Sequence, residues 1–159
     1  MEKTFTVKQI GIIRTGAEDA KIILDRAFAP ALAGLDGFSH LNLLWWFSEC
    51  DDNASRNALQ EKTPYKKAPA VLGTFATRSP RRPNPLALFC VEICYIDMEN
   101  AVIGITYTDA ADGSPVLDIK PYTPSLDRVG SPEVPAWCAH WPQSMEDSGS
   151  FDWAQEFNF

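Results

Sequence analysis

At 159 residues, with 45% apolar side chains, the chain carries enough apolar content to bury one core without staples. A formal net charge of −7 argues against broad, sequence-independent nucleic-acid binding, which depends on lysine and arginine neutralising phosphates. No stretch approaches the roughly 18 apolar residues of a membrane span, and the start Met1-Glu2-Lys3-Thr4-Phe5 lacks the apolar run of a signal peptide. The cysteines at 50, 90, 94 and 138 are too scattered for a disulfide framework, so a cytoplasmic protein with reduced thiols is expected.

In chain order, residues 5–13 read as a strand with a bulge anticipated at Gly11, followed by a polar turn at Thr15-Gly16-Ala17-Glu18-Asp19. Ile22-Ile23-Leu24 reads as a short strand, and Phe28 to Leu35 as a short helix with Pro30 in its first turn, closed at Gly34 or Gly37. Residues 38–47 are bulky and largely apolar on both faces, as in a central strand with the core on one side and a partner or helix on the other. Asp51-Asp52-Asn53 turns the chain into a short helix around Arg56-Asn57-Ala58-Leu59, and Lys62 to Pro69 is a basic loop.

Residues 71–76 and 86–96 read as strands flanking a proline-rich loop. The second of them, the turn Asp97-Met98-Glu99-Asn100 and a strand over 101–108 make a hairpin. Asp112-Gly113-Ser114-Pro115 turns into a last strand over 116–122. Prolines at 124, 132, 135 and 142 interrupt regular structure afterwards. The expected organisation is a barrel domain over 1–135 with an acidic, aromatic tail, 136–159, packed on it. Many short strands and few helical stretches indicate a mainly β protein, an antiparallel sheet or barrel.

Three features carry chemistry. Thr77-Arg78-Ser79-Pro80-Arg81-Arg82-Pro83-Asn84-Pro85 holds three prolines that fix φ and remove backbone donors, so it can be neither helix interior nor central strand. It displays three arginines, planar forks suited to carboxylate or phosphate, on a stiff backbone at a strand end. A solvated surface turn is the plainer alternative. From Lys62 through Arg82 there are six basic residues and no acidic one, whereas from Gly130 onward there are five acidic and no basic residues, so a local positive patch on an acidic protein is anticipated. In Leu117-Asp118-Ile119-Lys120-Pro121-Tyr122, strand alternation puts Asp118, Lys120 and Tyr122 on one face. Either an ordinary solvated strand or one wall of a cleft has that pattern.

His40, in an apolar neighbourhood, is read as structural. Cys90, Cys94, Cys138 and His140 lack the close ligand pairs of a structural zinc site, so no metal is expected. The chain has neither a phosphate-binding glycine loop nor a G-x-S-x-G elbow, against a Rossmann methyltransferase or dehydrogenase, a kinase or a serine hydrolase.

Phe38-Ser39-His40-Leu41, the run Gly73 to Leu86, and the run Asp112 to Tyr122 resemble, in order, the three signature blocks of the TrmO (TsaA-like) family, over roughly residues 5 to 135. The resemblance implies an antiparallel β-barrel methyltransferase of non-Rossmann type, homodimeric, using S-adenosyl-L-methionine, whose best-known members methylate threonylcarbamoyladenosine beside the anticodon of tRNA. It differs from the family in having Leu86-Ala87 in place of Ile-Gly and Arg14-Thr15-Gly16-Ala17-Glu18 where many tRNA-acting members have Pro-Arg-Gln; the extra C-terminal domain of longer members is not expected. On this resemblance, Thr77, Arg78, Asn84, Pro85 and Leu86 are expected at the cofactor, with Arg78 on an anionic group. Asp118, Lys120 and Tyr122 are expected on the acceptor side as catalytic residues, and Arg81, Arg82, Lys66 and Lys67 on RNA. A small-molecule acceptor, or a cofactor-binding regulatory module without chemistry, stands as the alternative.

Overall fold

The computed structural model describes residues 3–17 and 19–159; Met1, Glu2 and Glu18, the last in the anticipated turn after Thr15, lie outside the described residues. The strands in chain order are β1 (Gly11–Thr15), β2 (Ala20–Leu24), β3 (His40–Trp46), β4 (Gln60–Lys62), β5 (Val71–Gly73), β6 (Leu86–Asp97), β7 (Val102–Ile105) and β8 (Pro115–Pro121). The chain divides into two compact units, Met1–Asp51 with Asn84–Arg128, and Asp52–Pro83 with Val129–Phe159.

The first unit is a closed antiparallel barrel in the order β1-β2-β7-β6-β3-β8. Its interior follows from strand alternation: Leu41, Leu43 and Trp45 of β3 are buried while their neighbours are half-exposed, and β2 buries Ala20, Ile22 and Leu24 in the same period of two. Val91, Ile103 and Val116 complete the core from β6, β7 and β8. As expected for a central strand, β3 is paired on both sides, placing Leu44 opposite Leu88 of β6 and Asp118 of β8. The β6–β7 hairpin forms through the anticipated turn.

Beyond the short helix, which spans Asn53–Arg56 and so ends where it was expected to begin, the structure departs from the sequence-based expectations in three places. Strand pairing begins at Gly11, although the Ile10 amide already donates to the Val116 carbonyl at 2.8 Å. No bulge occurs at Gly11, whose register with Leu24 and Val116 is regular. The glycine is needed instead because a Cβ there would lie 2.4 Å from the Ile23 carbonyl oxygen, so strands approach too closely for any side chain. Second, the segment read as a short helix at 28–35 is a 3-10 turn over Arg26–Leu32, capped by the Asp25 side chain on the Ala27 amide, with φ of +83° at Gly34. Third, the strand read over 71–76 stops at Gly73 and continues as a 3-10 turn, Thr74–Ala76.

The sheet of the second unit, among the described residues, is the two-stranded β4–β5, with Gln60 opposite Gly73 and Lys62 opposite Val71. Its interior is built from rings. Tyr65 stacks on Trp137 at 5.4 Å between centroids and meets Trp141 and Phe157 at 5.1 and 5.8 Å. Trp153 stacks on Phe157, and Phe157 on Phe159. The tail thus packs against the 62–67 loop inside this unit. Glu156, 5% exposed, is held there by His140 Nε2 at 2.8 Å and by Trp141 Nε1, which donates at 3.1 Å. The His140 hydrogen bond is the main reason its carboxyl titrates below the usual carboxylate range.

Candidate functional site

In the first unit, the 3-10 turn at 26–32 and the chain up to Phe38 stand against β8 and enclose a cleft of about 360 Å³. Its walls are Leu24, Phe28, Leu35, Phe38 and Ile119, and Asp118 is the ionisable residue of the lining. A concave, mostly apolar space with one polar anchor has the form of a small-ligand site. The aromatic walls went unrecognised as site residues in the sequence, because a 3-10 turn lacks the side-chain period that reveals a face; Pro30 and the paired glycines 34 and 37 were the available signal.

Asp118 and Lys120 share one face of β8, as alternation requires, and are joined by an ion pair of 2.7 Å. Hydrogen bonding to Asp118, reinforced by its charge, raises the Lys120 ammonium above the ordinary lysine value. Lys120 is therefore a permanent cation near neutral pH. Tyr122 continues the row: its amide donates to the His40 carbonyl at 3.0 Å, and its ring meets the His40 ring edge-on at 6.3 Å. His40 in turn contacts Ser39 Oγ through Nδ1 at 2.8 Å. Two residues that sequence reasoning missed hold the end of this row. Asn42, opposite Lys120, donates to Asp127 Oδ1 at 2.9 Å, and Asp127 Oδ2 accepts the Thr123 amide at 2.7 Å.

Of the loop residues expected at the cofactor, Asn84, Pro85 and Leu86 open β6 in the first unit, with Pro85 fully buried and its carbonyl accepting the Phe47 amide at 2.8 Å. Leu86, 40% exposed, lies opposite Trp46.

Thr77 and Arg78 belong to the second unit. Thr77 is buried; its hydroxyl donates to the Thr74 carbonyl at 2.9 Å and accepts the Ser79 amide at 3.2 Å. Ser79 Oγ donates to Glu61 at 2.8 Å. Arg82 Nη2 donates to the carbonyls of Thr74 and Thr77 at 3.1 and 3.0 Å, so its guanidinium holds backbone. Arg78 and Arg81 are exposed. Tyr65 lies near Arg78: burial pushes its phenol up, opposed by hydrogen bonding to the Arg78 backbone. Lys66 donates to the Ala154 carbonyl at 3.0 Å, and Lys67 stands 3.1 Å from His140 Nε2 and 3.8 Å from Glu156.

These features define a class: a closed antiparallel barrel with a ligand cleft against its last strand, in a chain that also carries a braced arginine loop. The chain belongs to the family of the tRNA-methyltransferase O N-terminal domain, whose model matches residues 7–128. It is 37% identical over 114 residues to an S-adenosyl-L-methionine-binding protein of Archaeoglobus fulgidus, covering 72% of this chain and 76% of that one. It is 32% identical over 154 residues to the tRNA (adenine(37)-N6)-methyltransferase of Escherichia coli K12, covering 94% of this chain and 63% of the relative. The crystal structure of TrmO from Pseudomonas aeruginosa aligns with a TM-score of 0.63 and 29% identity, over 82% of this chain and 62% of that one. The chain thus spans a little under two thirds of the length of the last two.

Proposed function

We propose that this chain is an S-adenosylmethionine-dependent methyltransferase acting on tRNA, with threonylcarbamoyladenosine beside the anticodon as acceptor. The observation that carries the reading is the placement of the family's Asp-Ile-Lys-Pro-Tyr block, 118–122, where Asp118 lines the barrel's apolar cleft. The cleft's chemistry fits an adenosyl sulfonium. Phe28, Leu35, Phe38 and Ile119 offer an apolar slot for a purine, and Asp118, paired with Lys120 at 2.7 Å, stands beside it on the acceptor side.

When bound, the cofactor supplies an electrophilic methyl group. The protein's part is to align the acceptor and exclude water. Asp118 is the group in the row able to accept a proton, whereas Lys120, kept charged by Asp118, orients and stabilises negative charge. Tyr122 completes the acceptor side. Asn84, Pro85 and Leu86 of the barrel support the cofactor; Arg78, with Thr77 beside it, binds an anionic group. Arg81 is the loop's phosphate contact. The active form is a homodimer in the cytoplasm; the exposed Leu86 and Leu88 on the outward face of β6 support a self-association surface.

Calorimetry with S-adenosylmethionine, followed by transfer of labelled methyl to total tRNA or to a small-metabolite fraction, tests this. Binding with label in tRNA is expected. Label only in the small-metabolite fraction would favour a small-molecule acceptor, the reading supported by the net charge of −7; binding without transfer would indicate a regulatory module. Asp118→Asn should lower turnover by about 10²–10⁴-fold with a smaller effect on cofactor affinity, and unchanged turnover would remove Asp118 from the mechanism.

A further inference from the structure

Phe75 sits at the crest of the 3-10 turn Thr74–Ala76 and is 85% exposed. Its exposure is imposed by the turn's ends. Thr74, 2% exposed, donates its amide to the Leu59 carbonyl at 3.0 Å and its hydroxyl to the Ala58 carbonyl at 2.8 Å. At the other end, the amide and hydroxyl of buried Thr77 both donate to the Thr74 carbonyl. Arg82 then ties the two ends together through the Thr74 and Thr77 carbonyls. With both threonines anchored inward, the intervening ring faces water on a backbone that has little freedom left.

Such an arrangement is costly for an apolar side chain and favourable for a binding surface, because a pre-ordered ring loses little entropy on contact. The neighbouring side chains indicate the ligand. Arg78 and Arg81 follow within six residues, both exposed, so an aromatic face and two guanidiniums occur together on one rigid loop. Aromatic rings stack on unpaired bases, and guanidiniums take phosphate oxygens in two-point contacts.

We propose that Phe75 is a stacking platform for an unpaired nucleobase of the RNA substrate, and that Arg82 is its positioning residue. The proposal rests on the tRNA reading above and specifies which part of the chain holds the anticodon loop. It separates the arginines by role: Arg78 and Arg81 face the ligand, and Arg82 fixes the turn.

The test uses the full chain and an anticodon stem–loop RNA carrying a fluorescent purine analogue in the loop, titrated at several salt concentrations. Phe75→Ala should weaken RNA binding by about 5- to 150-fold, the range for loss of one stacked base. Phe75→Trp should retain affinity and Phe75→Leu should not. The salt slope should be unchanged in Phe75→Ala and should fall by roughly 0.7–0.9 in Arg81→Ala. Arg82→Lys should weaken binding without lowering that slope and should speed hydrogen exchange at the Thr77 and Ser79 amides.

Wild-type RNA affinity in Phe75→Ala, or equal affinity in Phe75→Leu and Phe75→Trp, overturns the stacking role while leaving the tRNA reading intact. An effect confined to S-adenosylmethionine affinity, measured by calorimetry, assigns the ring to the cofactor's adenine and also overturns it. Failure of the wild-type chain to bind the stem–loop removes both this proposal and the tRNA reading. A fall in the salt slope for Arg82→Lys makes Arg82 a phosphate contact and overturns its positioning role.

Discussion

The two units solve the problem of a stable interior by opposite means. The barrel closes six strands on themselves and fills the inside with aliphatic side chains and Trp45, alternate residues pointing inward except where β8 and β6 shift register. The Asp52–Pro83/Val129–Phe159 unit has one short two-stranded sheet, and relies on stacked rings and on buried polar groups, among them Ser55, Thr74, Thr77 and Glu156. Backbone ladders fix the first, side-chain hydrogen bonds fix the second. Side-chain bonds can be altered one at a time, so a segment whose groups must be placed individually, such as the arginine loop, suits the second kind of construction.

The comparison can be broken most strongly in the barrel. Trp45→Ala empties the largest fully buried side chain and should cost about 3–5 kcal/mol, seen as a lower urea midpoint. Gly11→Ala, where a new methyl would meet the Ile23 carbonyl, should cost roughly 1–3 kcal/mol by the same measurement; a neutral result would show that β1 can shift. In the second unit, Thr77→Val deletes the hydroxyl that links Thr74 to Ser79 and should cost about 1–2 kcal/mol, with faster hydrogen exchange at Ser79 than at the amides of β3.

Acid should separate the units without mutation. A carboxyl held low in the folded state stabilises fully above its unfolded pKa, near 4.3, and loses that contribution as pH falls through the lower folded value. Glu156 is such a group, held chiefly by His140; Asp97 and Asp112 of the barrel are also held low, but they lie nearer solvent, Asp112 at 52% exposure, where the effect is screened. Tryptophan fluorescence should therefore report loosening around Trp141 and Trp153 below about pH 4.3, ahead of loss of the barrel's far-ultraviolet signal. Simultaneous loss, or the reverse order, would contradict a distinct role for Glu156.

What the sequence made legible follows the same division. The outline of the barrel was readable because period-two burial is written directly into runs such as Leu41-Asn42-Leu43-Leu44-Trp45, and because Asp97 to Asn100 is a turn by composition. The Asp118–Lys120 pair could be placed on one face for the same reason. The cleft walls at Phe28, Leu35 and Phe38 could not, since their convergence depends on a 3-10 turn that sequence reasoning took for a helix. Arg82 looked equivalent to Arg78 and Arg81, as no local pattern tells which guanidinium will find backbone carbonyls. Phe75 was hidden inside an apparent strand that in fact ends at Gly73.

A barrel whose first strand pairs with its last has no terminal strand in its order. Backbone-to-backbone addition of a further strand, the usual opening for fibrillar aggregation and domain exchange, is therefore confined to overhangs such as residues 86–91, which pair with β3 but precede the β7 register. Elsewhere on its strands, another molecule can meet the barrel only by side-chain complementarity.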